Sequence, residues 1–316
     1  KYIESIEKNC LSDILKVMKY PYSPFPSRGK LSWPNNKRLA IIITINLETW
    51  DLVKDTNEPY YAGGPSILPD LLPGNVPDFP NFMWREYGQR VGIWRLLDIF
   101  DELNIKPECT VNAKTCMDRY EMVQAALDRG LSIIPHNFEQ GELLSEHFDD
   151  PDKEEEVIKN TLSVYKKTTK LTPEGWLSSS LRGTENTANI LVKNGLKFYC
   201  DAMNDDQPYI IETESGEIVS IPYSNEINDF TLLTRRGHTT DEFRDILIEE
   251  MNVLYDESEK TSKIMNIGLH PHVSGRAYRV RAIKEFLEAA KQLDGIWWAT
   301  RSEITDSYIE QANSHI

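Results

Sequence analysis

Glu48, His136 and His270 are residues that move protons or hold ions, and each stands where an apolar run gives out. Leu39 to Ile45 leads into Asn46 and Glu48, Leu131 to Pro135 into His136, and Lys263 to Leu269 into His270 and His272. Such runs are too short for globular helices and read as strands buried on both faces. In folds built from βα units, the C-terminal strand ends are where sites are made. Two imidazoles and a carboxylate brought to one face suit either a divalent metal site or metal-free acid–base work on an amide. Taken singly, a histidine at a strand end is a hydrogen-bonded structural residue; three strand ends together favour function. Asn112, Trp176 with Ser178, and Asp201 occupy equivalent positions, and Trp50 follows closely on Glu48. His147, His238 and His315 lack that setting and read as surface residues.

A second cluster, Glu86, Tyr87 and Arg90, immediately precedes a helical pattern that begins at Val91. Arginine at a helix start opposes the macrodipole, so an anionic partner or a bound carboxylate is one reading, and a plain ion pair with Glu86 is the other. Nucleotide-phosphate motifs are missing: no GxGxxG follows a strand and there is no GxxxxGK[ST]. GWLSSSLRG has serines without the GxSxG elbow. Trp94, Trp297 and Trp298 read as core.

The elements that must position these residues alternate. The amphipathic pattern over 1 to 20 predicts a surface helix, and four prolines between Pro21 and Lys37 predict an extended arm. Residues 53 to 83, with six prolines, read as a long irregular loop. Helices are then expected over 91–103, 120–129, 152–169, 187–194, 241–255, 279–293 and from Arg301. Strands are expected over 108–111, 131–135, near Trp176, and over 198–201, 263–269 and 295–299, with a hairpin at 209–213 and 218–222. Roughly seven βα units without a linker-like break indicate one parallel, barrel-like domain over 38–316, preceded by the helix and arm of 1–37.

Composition narrows the partners. Fifty acidic against 35 basic residues give a formal charge of −15, which argues against nucleic acid and anionic membrane. Cys10, Cys109, Cys116 and Cys200 lack CxxC spacing and read as reduced thiols. No apolar run approaches the roughly 20 residues of a membrane helix. The chain starts at Lys1, which leaves a removed leader open, and a cytoplasmic location is expected.

Several stretches together resemble the polysaccharide deacetylase (NodB-homology) superfamily, and more closely its branch of allantoinases and cyclic imide hydrolases. They are the strand ending in NLE, EYGQRVGIWRLLDIFDELNI, the strand ending in His136, GWLSSSLRGTENTANILVKNGLKFYCD, NDDQPY, VSIPYSNEIND and IGLHPHVSGRAYRVRAIKEFLEAAKQLDGIWWATRSEI. The resemblance covers 38 to about 308. It implies a distorted (β/α)₇ barrel hydrolysing amide bonds, with a metal usually held by an Asp and an H-x-x-x-H pair. Glu48 falls at the metal-binding Asp and His136 at the first His, but Gln140 occupies the second His position. Leu47-Glu48 stands for the Asp-Asp dyad, so the usual base is missing, and Leu177 follows Trp176 where deacetylases often have arginine. The allantoinase-like branch departs at these same places.

The expectation is therefore a hydrolase of a small cyclic or linear amide, an imide, hydantoin or ureide. Its catalytic residues would be Glu48, His136 and His270, with Trp50, Glu86, Tyr87, Arg90, Asn112, Trp176 and His272 binding substrate. One divalent ion, zinc first among the candidates, would sit on Glu48, His136 and His270; metal-independent action is the other reading. The alternatives are N-deacetylation of a sugar polymer and a catalytically silent binding protein on the same scaffold. The proline-rich arm and the resemblance together suggest a homo-oligomer.

Overall fold

A computed structural model describes residues 20, 22–52, 67–68, 72 and 76–315. The expected helix over 1–20, most of the loop over 53–83, and Cys10 lie outside the described residues. Strand β1 (Leu39–Leu47) is buried along its whole length. It pairs in parallel with β8 (Lys263–Leu269), with β2 (Glu108–Val111) at its C-terminal half, and with β9 (Ile296–Trp298) at its start. β2 continues in parallel to β3 (Ile133–Pro135). A second sheet runs β4 (Gly175–Trp176), β5 (Phe198–Tyr199), β7 (Gly216–Ser220) and β6 (Tyr209–Thr213). Among the described residues its only antiparallel pair is the β6–β7 hairpin. A main-chain bond from Leu177 to the Pro135 carbonyl (3.3 Å) links the two sheets, and one from Gly268 to the Ile227 carbonyl (3.2 Å) seats the segment after β7 against β8. The result is an α/β fold on a parallel central sheet.

β1 is central because Ile41, Ile43 and Ile45 face one core with Phe100, Val123 and Phe286, while Ala40 and Ile42 face another with Leu31, Trp33 and Tyr308. An apolar run without alternation has no face to give to water. The helix Pro151–Thr169 is fixed at its start by the Asp150 side chain, which accepts from the Lys153 amide, and carries Lys166 and Lys167 in its last turn. The arm wraps its own domain: Leu31 and Trp33 are buried, and the Gly29 amide donates to the His315 carbonyl at 2.8 Å. His315 is therefore not a surface residue; its ring is buried against Tyr308 under the arm. Trp94 departs the other way, sitting exposed on the outer face of its helix.

The passage from 79 to 103 corrects two expectations. Residues 79–83 are not irregular, because Asp78 caps a helix over Phe79–Tyr87 with Pro80 in its first turn. That helix passes through one π turn, Gly88–Gly92, directly into the helix Ile93–Leu103. The π turn exists where two glycines let another segment come close. A Cβ on Gly88 would strike the His272 backbone, one on Gly92 would run into the Pro271 carbonyl oxygen, and one on Gly275 would strike both Pro271 and Gly92. EYGQRVG and HPHVSGR are thus two halves of one glycine-mediated contact that seats the His270–His272 segment. Gly92→Ala is expected to lower stability by about 1–3 kcal/mol through overpacking against backbone and to depress turnover by displacing His270. Urea unfolding and a turnover assay check both.

Candidate active site

Glu48 Oε1 lies 3.6 Å from His136 Nε2 and 3.6 Å from His270 Nε2, so three strand ends meet on one carboxylate oxygen. The three line a recess of about 90 Å³ together with Asn46, Gln140 and Tyr223. Each imidazole is held by its far nitrogen. His136 Nδ1 faces the Leu177 carbonyl at 2.6 Å, which makes Nδ1 the donor and turns Nε2 toward the recess. His270 Nδ1 is 2.7 Å from Asp229 Oδ1. Asp229 is buried, and its other oxygen accepts from the His270 amide at 2.7 Å, from the Ser274 amide at 3.2 Å, and from the Ser274 hydroxyl.

The charges follow from this geometry. Burial works against a cation at His270, but the carboxylates of Glu48 and Asp229 outweigh it and raise the ring's pKa to about 10. Burial likewise opposes the charge on Glu48; the adjacent charge of His270, with the His136 ring beside it, overcomes that opposition and holds the carboxyl well below the usual range. At neutral pH the recess therefore contains a carboxylate and an imidazolium side by side.

The remaining residues singled out from sequence divide. Asn112 is buried behind the site, where it ties two strand ends together: its Oδ1 accepts from the Thr49 amide at 3.0 Å, and its Nδ2 donates to the His136 carbonyl. It positions the site and does not line the recess. Trp176 is fully buried with its ring N–H on Ser178 Oγ at 3.0 Å, so it is core. His272 is buried edge-on to Trp50 and Trp84, at 5.4 and 4.7 Å, and faces away from the recess. Burial, reinforced by His270, keeps it well below its free pKa. Trp50 and Glu86 line a separate recess of about 190 Å³ beside Arg85 and Lys114. Tyr87 lies under the Arg276 guanidinium at 3.6 Å and accepts from Arg95 at 3.0 Å. Arg90 is 72% exposed, 3.9 Å from Glu86. The anion argument for Arg90 fails because the π turn makes 79–103 one helical run, leaving no helix start at Val91.

Sequence reading missed Asp229, Tyr223, Asn228 and Phe230. A charge between Ile227-Asn228 and the apolar Phe230-Thr231-Leu232-Leu233 was the available signal for Asp229, but no strand or helix period marks that stretch.

A divalent ion needs deprotonated donors, and the residues here fit one poorly. The carboxylates of Glu48 and Asp229 draw His270 toward its protonated form, which offers no lone pair to an ion. Gln140, at the second imidazole's place, has its Oε1 engaged by the Ser179 hydroxyl at 3.1 Å. Among the described residues no group of three His, Cys, Asp or Glu side chains is spaced to hold an ion.

Comparison with known proteins places the fold. The chain superposes on the crystal structure of PuuE allantoinase with a TM-score of 0.81 at 24% identity, covering 93% of this chain and 96% of that one. A probable polysaccharide deacetylase from Pseudomonas aeruginosa PAO1 gives 0.76 at 24% identity, over 88% and 93%. The chain has the fold that these two structures share. Among curated proteins, a putative polysaccharide deacetylase of Schizosaccharomyces pombe is 26% identical over 306 residues, 87% of this chain and 92% of that protein. A peptidoglycan deacetylase of Helicobacter pylori is 21% identical over 259 residues. No family model matches the chain. The superfamily resemblance and the hydrolase class expected from the sequence agree with these relatives, which include both named deacetylases and an allantoinase. Among the described residues no helix is long and apolar enough to cross a membrane.

Proposed function

We propose that this chain hydrolyses a carbon–nitrogen bond of a small cyclic or linear amide, of the imide, hydantoin or ureide kind. The observation that carries the reading is the Asp229–His270–Glu48–His136 constellation around a recess of about 90 Å³. That volume is on the scale of one small amide, well below the roughly 300–1,000 Å³ of drug-sized pockets. The 3.6 Å from Glu48 Oε1 to each Nε2 exceeds a direct N–H···O hydrogen bond and suits groups that share a third atom.

A water between Glu48 and His136 Nε2 gives its proton to that pair as its oxygen bonds to the amide carbon. His270, fixed by Asp229, stabilises the developing oxyanion with its charge and passes its Nε2 proton to the nitrogen as the carbon–nitrogen bond breaks. The water's proton then returns to His270. Because none of these steps passes through a metal, exhaustive chelation is expected to leave the rate unchanged. Loss of activity restored by zinc contradicts the scheme.

The substrate class is tested by turnover of succinimide, hydantoin, allantoin and a chitin oligomer. The reading requires at least one of the first three to be cut, and turnover of the oligomer alone favours the sugar-deacetylase alternative, which the Schizosaccharomyces pombe relative's name supports. A cytoplasmic location and a homo-oligomer belong to the same proposal; light scattering that gives the 36.4 kDa monomer refutes the oligomer.

A further inference from the structure

Behind Leu181 lies a second cavity of about 400 Å³ with a mostly apolar wall, to which Ala188, Tyr199, Tyr209 and Ile211 contribute. Leu181 lines both this cavity and the catalytic recess. At this partition two successive non-glycine residues lie in the left-handed region, Ser180 at φ 56° and Leu181 at φ 58°. For a bulky side chain that conformation is an outlier, and it persists only where the surroundings impose it. Here they do. The Leu181 amide donates to the Ser178 carbonyl at 2.9 Å, the Arg182 carbonyl accepts from the Ser145 amide at 2.9 Å, and the Ser179 hydroxyl donates to Gln140 in the recess wall.

We propose that the cavity behind Leu181 is the subsite for an apolar substituent on the substrate, and that Leu181 decides which substituents pass. This rests on the small-amide hydrolase reading. An unsubstituted ring occupies the recess alone. A ring bearing an alkyl or aryl group projects that group past Leu181 toward Ala188 and Ile211. Each methylene-sized increment of fit there is worth roughly 10–200-fold in kcat/KM.

Glycine takes up φ near 58° without a Cβ penalty, so Leu181→Gly opens the partition while relaxing the backbone. Its kcat/KM for 5-benzylhydantoin relative to hydantoin is expected to rise roughly tenfold or more. Filling the cavity from its far side with Ala188→Phe is expected to lower the same ratio. Ile211→Phe, on the edge strand β6, tests the same narrowing independently of the 187–193 helix. Unchanged ratios in all three variants overturn the proposal. Turnover of succinimide, hydantoin or allantoin by the unsubstituted protein judges the hydrolase reading separately. Where that turnover is nil, methyl NMR decides. Shifts of the Ala188 and Ile211 methyls with 5-benzylhydantoin and not with hydantoin support the subsite, and their absence overturns it.

Discussion

His270→Ala is expected to lower kcat by roughly 10²–10⁴-fold, the usual contribution of one general acid, and to lower stability as well, because it strands the buried carboxylates of Glu48 and Asp229. What decides the rate is where the proton sits. Asp229 and Glu48 hold His270 as a cation up to about pH 10, so the ring can deliver a proton across the whole neutral range. Asp229→Asn is expected to lose most of the same factor without touching substrate, because an amide neither orients Nδ1–H nor supports the charge. In the unchanged chain, kcat/KM should fall as pH rises through about 10. Stability has the same sign. The ring's folded pKa lies above its free value of 6.5, so its stabilising charge is complete below 6.5 and is lost as pH rises through about 10. A His270→Ala enzyme within threefold of the original rate removes His270 from the chemistry.

The second large effect concerns stability and lies in the buried pair Arg301–Glu108. Arg301 is fully buried with its Nη1 2.9 Å from Glu108 Oε2 and 3.0 Å from Thr44 Oγ1, and its amide donates to Glu108 Oε1 at 3.0 Å. Removing one member of such a pair strands the other charge away from water, so Arg301→Ala is expected to cost about 3–5 kcal/mol. Among the described residues Arg301 Nε and Nη2 have no hydrogen-bond partner, so the pair is already imperfectly satisfied. The double replacement Arg301→Met with Glu108→Leu should therefore recover most of the loss. Urea unfolding of these two variants beside the unchanged chain checks this, and a double variant as unstable as Arg301→Ala would show that packing, not charge, sets the cost.

How much of this was legible beforehand depended on whether a residue announced itself locally. Strand β8 spans Lys263–Leu269, the residues expected from its apolar run, and β1 runs only two residues past the expected end at Ile45, because two-faced burial leaves an unbroken apolar signature. Glu48, His136 and His270 could be nominated because each ends such a run, and all three line one recess. Arg90 was misread because nothing in EYGQRVG shows that its glycines hold a π turn against a segment some 180 residues later; that is a tertiary fact. Asp229 was invisible for a similar reason. Its role comes from meeting His270 across the fold, in a stretch without strand or helix period. Trp176, Trp50 and His272 stand at strand ends as substrate-binding residues would, yet pack as core or into a neighbouring recess, since position at a strand end does not decide which way a side chain turns.

The central claim is that His270 is kept as an imidazolium between Asp229 and Glu48. It is tested most directly by a ¹⁵N NMR titration of the histidine rings in chelator-treated, substrate-free protein, with His270→Ala to assign the signal. The account expects both His270 nitrogens to remain protonated until about pH 10, and to lose that protection in Asp229→Asn. A His270 ring that titrates near its free value of 6.5 in the unchanged chain would contradict it.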